Sequence, residues 1–252
     1  MKQAATIDEV IQILNEIIAD TKKEASPLGY FAVLYCKVTE KVKEGIHNDA
    51  FENGPRMEQL DVVFANRYIK AYYEYNENLK PSSCWKVAFE QGDNFWLIVL
   101  QHLLLGMNAH INLDLGIAAA EVCPGDKIHG LHNDFNKINQ ILASLVNNVE
   151  KALSDVWPTL KWILSKTKNV DTFLVDFSMQ TARDGAWEFA LELAPMDTTD
   201  FEKAVQARDV RITEITQLIT DPGFVPSTIF KIIRLFERGS VDKKIAVLQN
   251  VI

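Results

Sequence analysis

Residues 101–115 read QHLLLGMNAHINLDL, an apolar stretch that carries two histidines, two asparagines and one aspartate. Its leucines recur at the three- and four-residue spacing of a helix, not in the alternation of a strand. Together with the flanking residues, the pattern predicts one long helix over about 94–122, buried at the centre of the protein. The polar load argues against a membrane span, because a spanning helix rarely carries so many polar side chains.

The rest of the chain is also helical in pattern. Glycine and proline are scarce, with 11 and 8 among 252 residues, and no segment alternates like a strand between turns. We therefore predict an all-α protein, a single domain over residues 1–252 with roughly eight to ten helices around the buried central helix. Residues 226–252 are expected to form a peripheral helical pair.

Charge and cysteine usage narrow the functional class. The chain has 26 Lys and Arg against 34 Asp and Glu, a net charge of -8, which argues against nucleic-acid binding and against docking on an anionic membrane. Three scattered cysteines and an N-terminus without an apolar leader predict reduced thiols in a cytoplasmic protein. Glycine-rich nucleotide motifs are absent from the sequence, so no nucleotide cofactor is expected. The oligomeric state is not indicated.

His110 and Asp114 are the strongest candidates for chemistry. They are four residues apart, so on a helix they can share a proton or bind the same metal ion. At about 100° per residue, His102 and Gly106 follow the same side, and Gly106 would leave space between the two histidines. Burying such polar groups costs a few kcal/mol each unless they are hydrogen-bonded, which favours a catalytic or structural role.

A second polar group follows the loop after the central helix. His132 and Asp134 lie near the start of the next predicted helix, which is expected to return antiparallel to the central one. Either could complete a set of three metal ligands with His110 and Asp114, and such a nitrogen and oxygen set suits Zn²⁺, Mn²⁺ or Fe²⁺. As the alternative, Asp134 would serve as a cap of its own helix.

Further residues are candidates for a substrate pocket. Asn108 and Asn112 emerge from the opposite side of the central helix, where they would line a pocket or tie loop backbones to the helix. Arg67, in the Asn-Arg-Tyr sequence 66–68, would line the same pocket or merely pack. Arg183 lies one turn from Trp187 and is predicted to stack on the indole and hold an anionic substrate.

The stretch GMNAHINLDL, residues 106–115, resembles the hallmark of an uncharacterised bacterial family, a domain of unknown function. Four other stretches are similar to its accompanying blocks: Asn66–Tyr68, Trp85–Phe89, Asp134–Asn136 and Ala182–Trp187. The resemblance covers about residues 25–195 and implies no particular activity.

The spacing of His110 and Asp114 is also similar to that of metal ligands in the zinc-dependent phospholipase C and single-strand nuclease superfamily. That resemblance implies a metal site on a buried helix. A second such pair is present only as His129 with Asn133 or His132 with Asn136, so it implies a single metal ion at most.

Two functions fit these residues. In the first, the chain is a metal-dependent hydrolase of a small ester or phosphoester: His110 and Asp114, with His102 or His132, bind one divalent ion whose water attacks the substrate. In the second, it is a metal-free helical protein that binds a small ligand or partner, and its buried His, Asn and Asp network serves packing specificity. A metal-free enzyme that uses His110 and Asp114 as an acid–base dyad is compatible with the same residues.

Overall fold

A computed structural model describes residues 2–138, 141 and 179–251. In this part of the chain regular structure is helical throughout and there is no strand, which confirms the predicted all-α class. The ten α-helices of the described residues are α1 Ile7–Lys23, α2 Gly29–His47, α3 Gly54–Asn76, α4 Ser83–Glu90, α5 Val99–Ala109, α6 Gly116–Val122, α7 Met179–Leu193, α8 Thr198–Thr220, α9 Phe224–Phe236 and α10 Val241–Val251. Residues 132–138 are also helical; the rest of the helix predicted after residue 131 falls outside the described residues.

The predicted central helix is formed by α5 and α6, joined by one π-helical segment, His110–Leu115. It begins at Val99 rather than near residue 94, because Ile98 is extended and its N–H donates to the Gln101 side chain. Val99–Val122 is long and apolar enough to cross a membrane, but 94% of its most apolar window is buried within the protein. It is therefore the core helix of this fold.

Other helices pack around the central helix. Helices α1, α2 and α3 pack on one another; α2 contacts α5, and α3 contacts α6 and the π-helical segment. Helix α7 covers α6, and α8 covers α4 and α5. The predicted peripheral pair corresponds to α9 and α10, of which α10 packs on α1 and α2. All three cysteines are buried free thiols, as predicted.

Helix α2 approaches the central helix most closely at Gly106. A Cβ atom on Gly106 would lie 2.3 Å from Cγ of Phe31. The Phe31 ring therefore occupies the space that the sequence suggested would remain open between His102 and His110. The glycine permits this close approach of the two helices, because any larger residue would collide with the ring.

We predict that Gly106→Ala destabilises the protein by about 1–3 kcal/mol, because the added methyl group overpacks the contact with Phe31. Gly185→Ala in α7 is the matched control. Its Cβ would meet only Nη2 of Arg208, at 3.5 Å, so this helical glycine should gain up to about 1 kcal/mol from the better helix propensity of alanine. Urea denaturation of both variants measures the difference, and equal stabilities would contradict the close contact.

Candidate functional site

Asp114 lies at the centre of the candidate site, on the π-helical segment. Its side chain is 2% exposed, yet both carboxylate oxygens are hydrogen-bonded. Arg67 Nε on α3 donates to Oδ1 at 2.9 Å, and Trp85 Nε1 on α4 donates to Oδ2 at 2.8 Å. Nδ1 of His110 lies 3.2 Å from the same Oδ2. One carboxylate therefore joins three separate elements of the fold.

The surroundings of Asp114 keep its carboxylate ionised. Burial by itself would raise the Asp114 pKa, but the Arg67 guanidinium and the hydrogen bonds from His110 and Trp85 outweigh it, so the pKa lies below its usual value. Burial also lowers the pKa of His110, although Asp114 opposes that shift. The site therefore holds an ionised carboxylate beside a neutral imidazole at neutral pH.

The His110 ring is held in a fixed orientation. Because an ionised carboxylate can only accept, Nδ1 carries the ring proton and donates it to Asp114. The ring stacks on Phe64, with centroids 3.6 Å apart and planes 7° from parallel, and Tyr35 meets it edge-on at 4.4 Å. No described residue forms a hydrogen bond with Nε2, which is buried. Since the ring is neutral, Nε2 presents an unused lone pair.

Phe64 and Arg67 separate this pair from solvent. They lie one turn apart on α3 and both are partly exposed. Phe64 covers the face of the His110 ring, and Arg67 reaches from buried Asp114 to half-exposed Glu121, at 3.7 Å.

Two more buried polar atoms, Asp61 Oδ2 and Tyr68 Oη, form no hydrogen bond within the described part of the chain. The buried hydroxyl groups of Tyr35 and Thr39 interact with each other. The Tyr35 and Tyr68 rings both pack against His110. Burial raises the pKa of Tyr35, and the charges of Asp61 and Asp114 raise it further. Burial, with a smaller contribution from Glu58, raises the pKa of Asp61 to about 8, so Asp61 is a neutral carboxylic acid at pH 7.

His102 lies in a different environment from His110. Its ring contacts Tyr30, at 5.9 Å between centroids. Burial, with smaller contributions from the nearby Arg234 of α9 and Lys244 of α10, lowers its pKa to about 3. His102 is thus a neutral core histidine next to the C-terminal helices.

Asp134 fastens the loop before α3. Its carboxylate accepts the N–H groups of Glu52 and Asn53, at 2.7 and 3.1 Å, and pairs with Arg56 at 2.9 Å. It therefore caps backbone groups distant in sequence rather than its own helix.

His132 lies on the surface beside Asn136 and Trp187, with its Nε2 3.0 Å from the Asn136 amide nitrogen and its ring 4.7 Å from the indole. Within residues 2–138, 141 and 179–251, no group of three or more His, Cys, Asp or Glu side chains could hold a metal ion.

The amides on the other side of the central helix dock helix α8. Gln101 Nε2 donates to the carbonyl of Ile219, at 2.9 Å, and Asn108 Nδ2 donates to that of Ile212, at 3.1 Å. Asn112 donates to Asn108 at 2.9 Å. Asn108 therefore bonds to the backbone of a helix rather than to a loop, and the side chain of Asn112 supports Asn108.

Arg183 is buried and packs on Phe135 instead of Trp187. Its guanidinium lies 4.6 Å from the Phe135 ring centre, and Nη2 donates to the Phe135 carbonyl at 2.5 Å. Burial lowers its pKa to about 10, so it stays charged at neutral pH. The Trp187 indole contacts His132 and Phe135.

A cavity of about 280 Å³ lies away from Asp114, between α1, α2 and α10. Polar residues contribute much of its lining, namely Asn15, Lys37, Glu40, Gln249 and Asn250. Lys37 and Glu40 pair with each other at 3.1 Å. None of the lining residues belongs to the site around His110, so the cavity adds no group to that site.

Sequence reasoning missed the aromatic and acidic partners of His110. Phe64 and Tyr35 carry no motif; Trp85 begins a stretch that resembles a family block, but the resemblance gives it no role, although a buried tryptophan requires an acceptor for its N–H. Asp61, one turn before Phe64 on the inner face of α3, offered a signal, because an acidic residue among the apolar positions of a helix requires an explanation.

Comparison with known proteins identifies one related family. The sequence model of a family described as "Family of unknown function (DUF5995)" matches residues 7–222. The match begins at the first residue of α1 and ends just before α9. No curated protein and no solved structure matched the chain. The match agrees with the resemblance to a domain of unknown function; the role of residues 106–115 as its hallmark and the likeness to phospholipase C stay predictions.

We predict that Asp114→Asn destabilises the protein by about 3 kcal/mol, because it breaks a buried ion pair. This value is the lower end of the usual range, since Arg67 is only partly buried. Glu121→Gln removes the other carboxylate near Arg67. Because Glu121 is half-exposed, this change should alter stability by less than about 1 kcal/mol. Chemical denaturation measures both. Similar losses in the two variants would show that Asp114 is not the structural centre of the site.

The raised pKa of Asp61 predicts a pH-dependent stability. The carboxyl group is protonated in the folded protein up to about pH 8 but ionises near pH 4 in the unfolded chain. Its contribution to stability is therefore present below about pH 4 and is lost as the pH rises toward 8. Asp61→Asn removes this loss, so its melting temperature relative to the unaltered protein should rise steadily between about pH 5 and pH 8.

The control for this measurement is Asp126→Asn, whose side chain is exposed. Its melting temperature should differ from that of the unaltered protein by the same amount at every pH. An Asp61→Asn difference that stays constant or falls with pH would contradict a protonated Asp61.

Proposed function

The chain belongs to the family of unknown function DUF5995, and we propose that it acts on a small polar molecule by metal-free acid–base chemistry, with Nε2 of His110 as the proton acceptor. One observation carries the proposal: the imidazole is neutral and held by Asp114, and no described residue occupies its buried Nε2 lone pair. Leaving a buried acceptor unused costs about 1–3 kcal/mol, and a ligand with an O–H or N–H group would recover it.

The arrangement around His110 supports proton transfer. Asp114 holds the ring with Nδ1 protonated, so that Nε2 accepts a proton, and its charge stabilises the imidazolium that forms. Arg67 and Trp85 keep the carboxylate fixed and ionised. Tyr35 lies against the ring, and its hydroxyl could hydrogen-bond to the substrate.

The π-helical segment provides independent support. His110 and Asp114 are its first and fifth residues. Such wide turns inside α-helices are uncommon and occur frequently at functional sites, since they depart from the regular hydrogen-bond ladder.

The structural alternative explains less of this arrangement. A network that serves only packing specificity would satisfy each of its buried polar groups. Within the described residues, His110 Nε2 and Asp61 Oδ2 lack a hydrogen-bond partner. A bound small molecule would supply hydrogen-bond partners for these atoms.

The metal-dependent hydrolase stays a prediction. His110 Nε2 could bind a metal ion, but both oxygens of Asp114 already accept hydrogen bonds from Arg67, Trp85 and His110. Asp134 has three donors of its own, and Arg183 packs on Phe135. Metal-free chemistry at His110 therefore requires fewer of these hydrogen bonds and ion pairs to break than metal binding does.

Hydrolysis of p-nitrophenyl acetate by chelator-treated protein tests the proposal. We expect His110→Gln to lower the rate at least about 100-fold, the contribution typical of a positioned general base. Phe64→Ala keeps both members of the pair and uncovers the ring, so it should raise the rate. Exposed His129→Gln is the control and should leave the rate unchanged.

Two results would overturn this function. Equal rates for the unaltered protein and His110→Gln would exclude His110 as the reactive group. Activity that disappears with chelator and returns with Zn²⁺ or Mn²⁺ would favour the metal-dependent hydrolase. A thermal melt of each variant separates loss of the fold from loss of the reactive nitrogen.

A further inference from the structure

Helix α9 exposes large apolar side chains to solvent. Phe224 is 88% exposed and Leu235 is 67% exposed, and Ile232 and Phe236 are also exposed. At about 100° per residue these four side chains fall within an arc of about 120°. Phe230 and Ile233, on the remaining side of the helix, are buried in the core. Helix α9 therefore has two apolar sides, of which the described residues cover only one.

A neighbouring loop extends this exposed surface. Phe95 and Trp96 are exposed and contact each other at 5.3 Å. Arg234 of α9 holds the loop in place, since its guanidinium lies 4.5 Å from the Phe95 ring centre and its Nε donates to the Phe95 carbonyl at 2.6 Å. The aromatic face, as we call this surface, consists of Phe95, Trp96, Phe224, Ile232, Leu235 and Phe236.

The segment that contains α9 carries a net positive charge, although exposed Asp93 and Asp221 precede the loop and the helix. Residues 224–238 contain three cations and one carboxylate, in a chain whose net charge is -8. That carboxylate, Glu237, is buried and paired with Lys244 at 2.9 Å and Arg234 at 3.5 Å. Lys231 is exposed and lies about 20° beyond Phe224 around the helix. Arg238, also exposed, follows the end of α9 at Phe236. The exposed charge on α9 beside the apolar arc is therefore cationic.

We propose that the aromatic face docks on the surface of an anionic lipid bilayer, without spanning it. A helix with phenylalanine and leucine on one side and flanking lysine and arginine is typical of helices that lie in the membrane interface. Tryptophan, here Trp96, also favours that depth. Helix α9 lies outside the span matched by the family, residues 7–222, whereas Phe95 and Trp96 lie within it, so only the α9 part of the aromatic face is separate from the matched span.

The acidic balance of the whole chain does not prevent this contact. Charges farther away than about 8 Å are largely screened at physiological ionic strength, so the lipid surface interacts mainly with α9 and its neighbouring loop. Anionic headgroups attract Lys231 and Arg238 while the apolar side chains enter the interface.

Charge complementarity favours a lipid surface over a second copy of the chain as the occupant. In a two-fold symmetric pair, the same patch of both copies meets. Lys231 and Arg238 of the two copies would then lie around one shared apolar contact and repel each other. An anionic bilayer neutralises these cations instead.

Co-sedimentation of the full chain with vesicles tests the proposal. We expect binding to phosphatidylcholine vesicles that contain about one-third phosphatidylserine, and much weaker binding to phosphatidylcholine alone. The double variant Phe224→Ser, Leu235→Ser should lose binding to both. Lys231→Gln and Arg238→Gln should each weaken binding to the anionic vesicles about fivefold.

The control is Val210→Ser, which removes an exposed apolar side chain of α8 that is not part of the aromatic face; its binding should match that of the unaltered protein. Absence of binding by the unaltered protein, or binding that the double variant retains, would overturn the proposal. So would a dimer in light scattering that Leu235→Ser converts to a monomer while vesicle binding is absent, because the aromatic face would then be an interface between copies.

Discussion

The buried carboxylate of Asp114 is the constraint on which the centre of this structure depends. An ionised group inside a protein is tolerated only when charged and hydrogen-bonding partners replace water. The partners of Asp114 are Arg67 of α3, Trp85 of α4 and His110 of the π-helical segment. They lie 47, 29 and 4 residues away from Asp114 in the sequence. Because the three donors come from three elements, satisfying one carboxylate also fixes how those elements pack, and it sets the protonation of His110.

The central helix is polar on two sides, and each side has a separate use. His110 and Asp114 face α3 and α4, where one ring nitrogen and other polar atoms find no hydrogen-bond partner among the described residues. Gln101 and Asn108 face α8, and their amides donate to its backbone carbonyls. The hydrogen bonds of the second side hold α8 against the central helix, whereas the first side retains the polar atoms on which the proposed function rests.

Local periodicity made the helical class, the buried central helix and the contact of His110 with Asp114 predictable, because each depends on residues three or four positions apart. The long-range partners were not predictable in this way. Nothing in the spacing indicates that Phe31 fills the space beside Gly106, that Arg67 and Trp85 meet at Asp114, or that Asp134 pairs with Arg56. Those contacts are decided by how whole helices pack. Periodicity also does not show which side of α9 its neighbours cover, and therefore which of its apolar and charged side chains are exposed.

The central claim is that ionised Asp114 holds His110 as a neutral ring with its proton on Nδ1 and an open Nε2. Long-range ¹H–¹⁵N correlation spectra of the histidine rings test it directly, with His110 assigned by its absence in His110→Gln. The account predicts a protonated Nδ1 and an unprotonated Nε2 between about pH 6 and pH 8, the range in which an ordinary histidine loses its proton. A protonated Nε2, or an imidazolium that titrates with an ordinary or raised pKa, would contradict it.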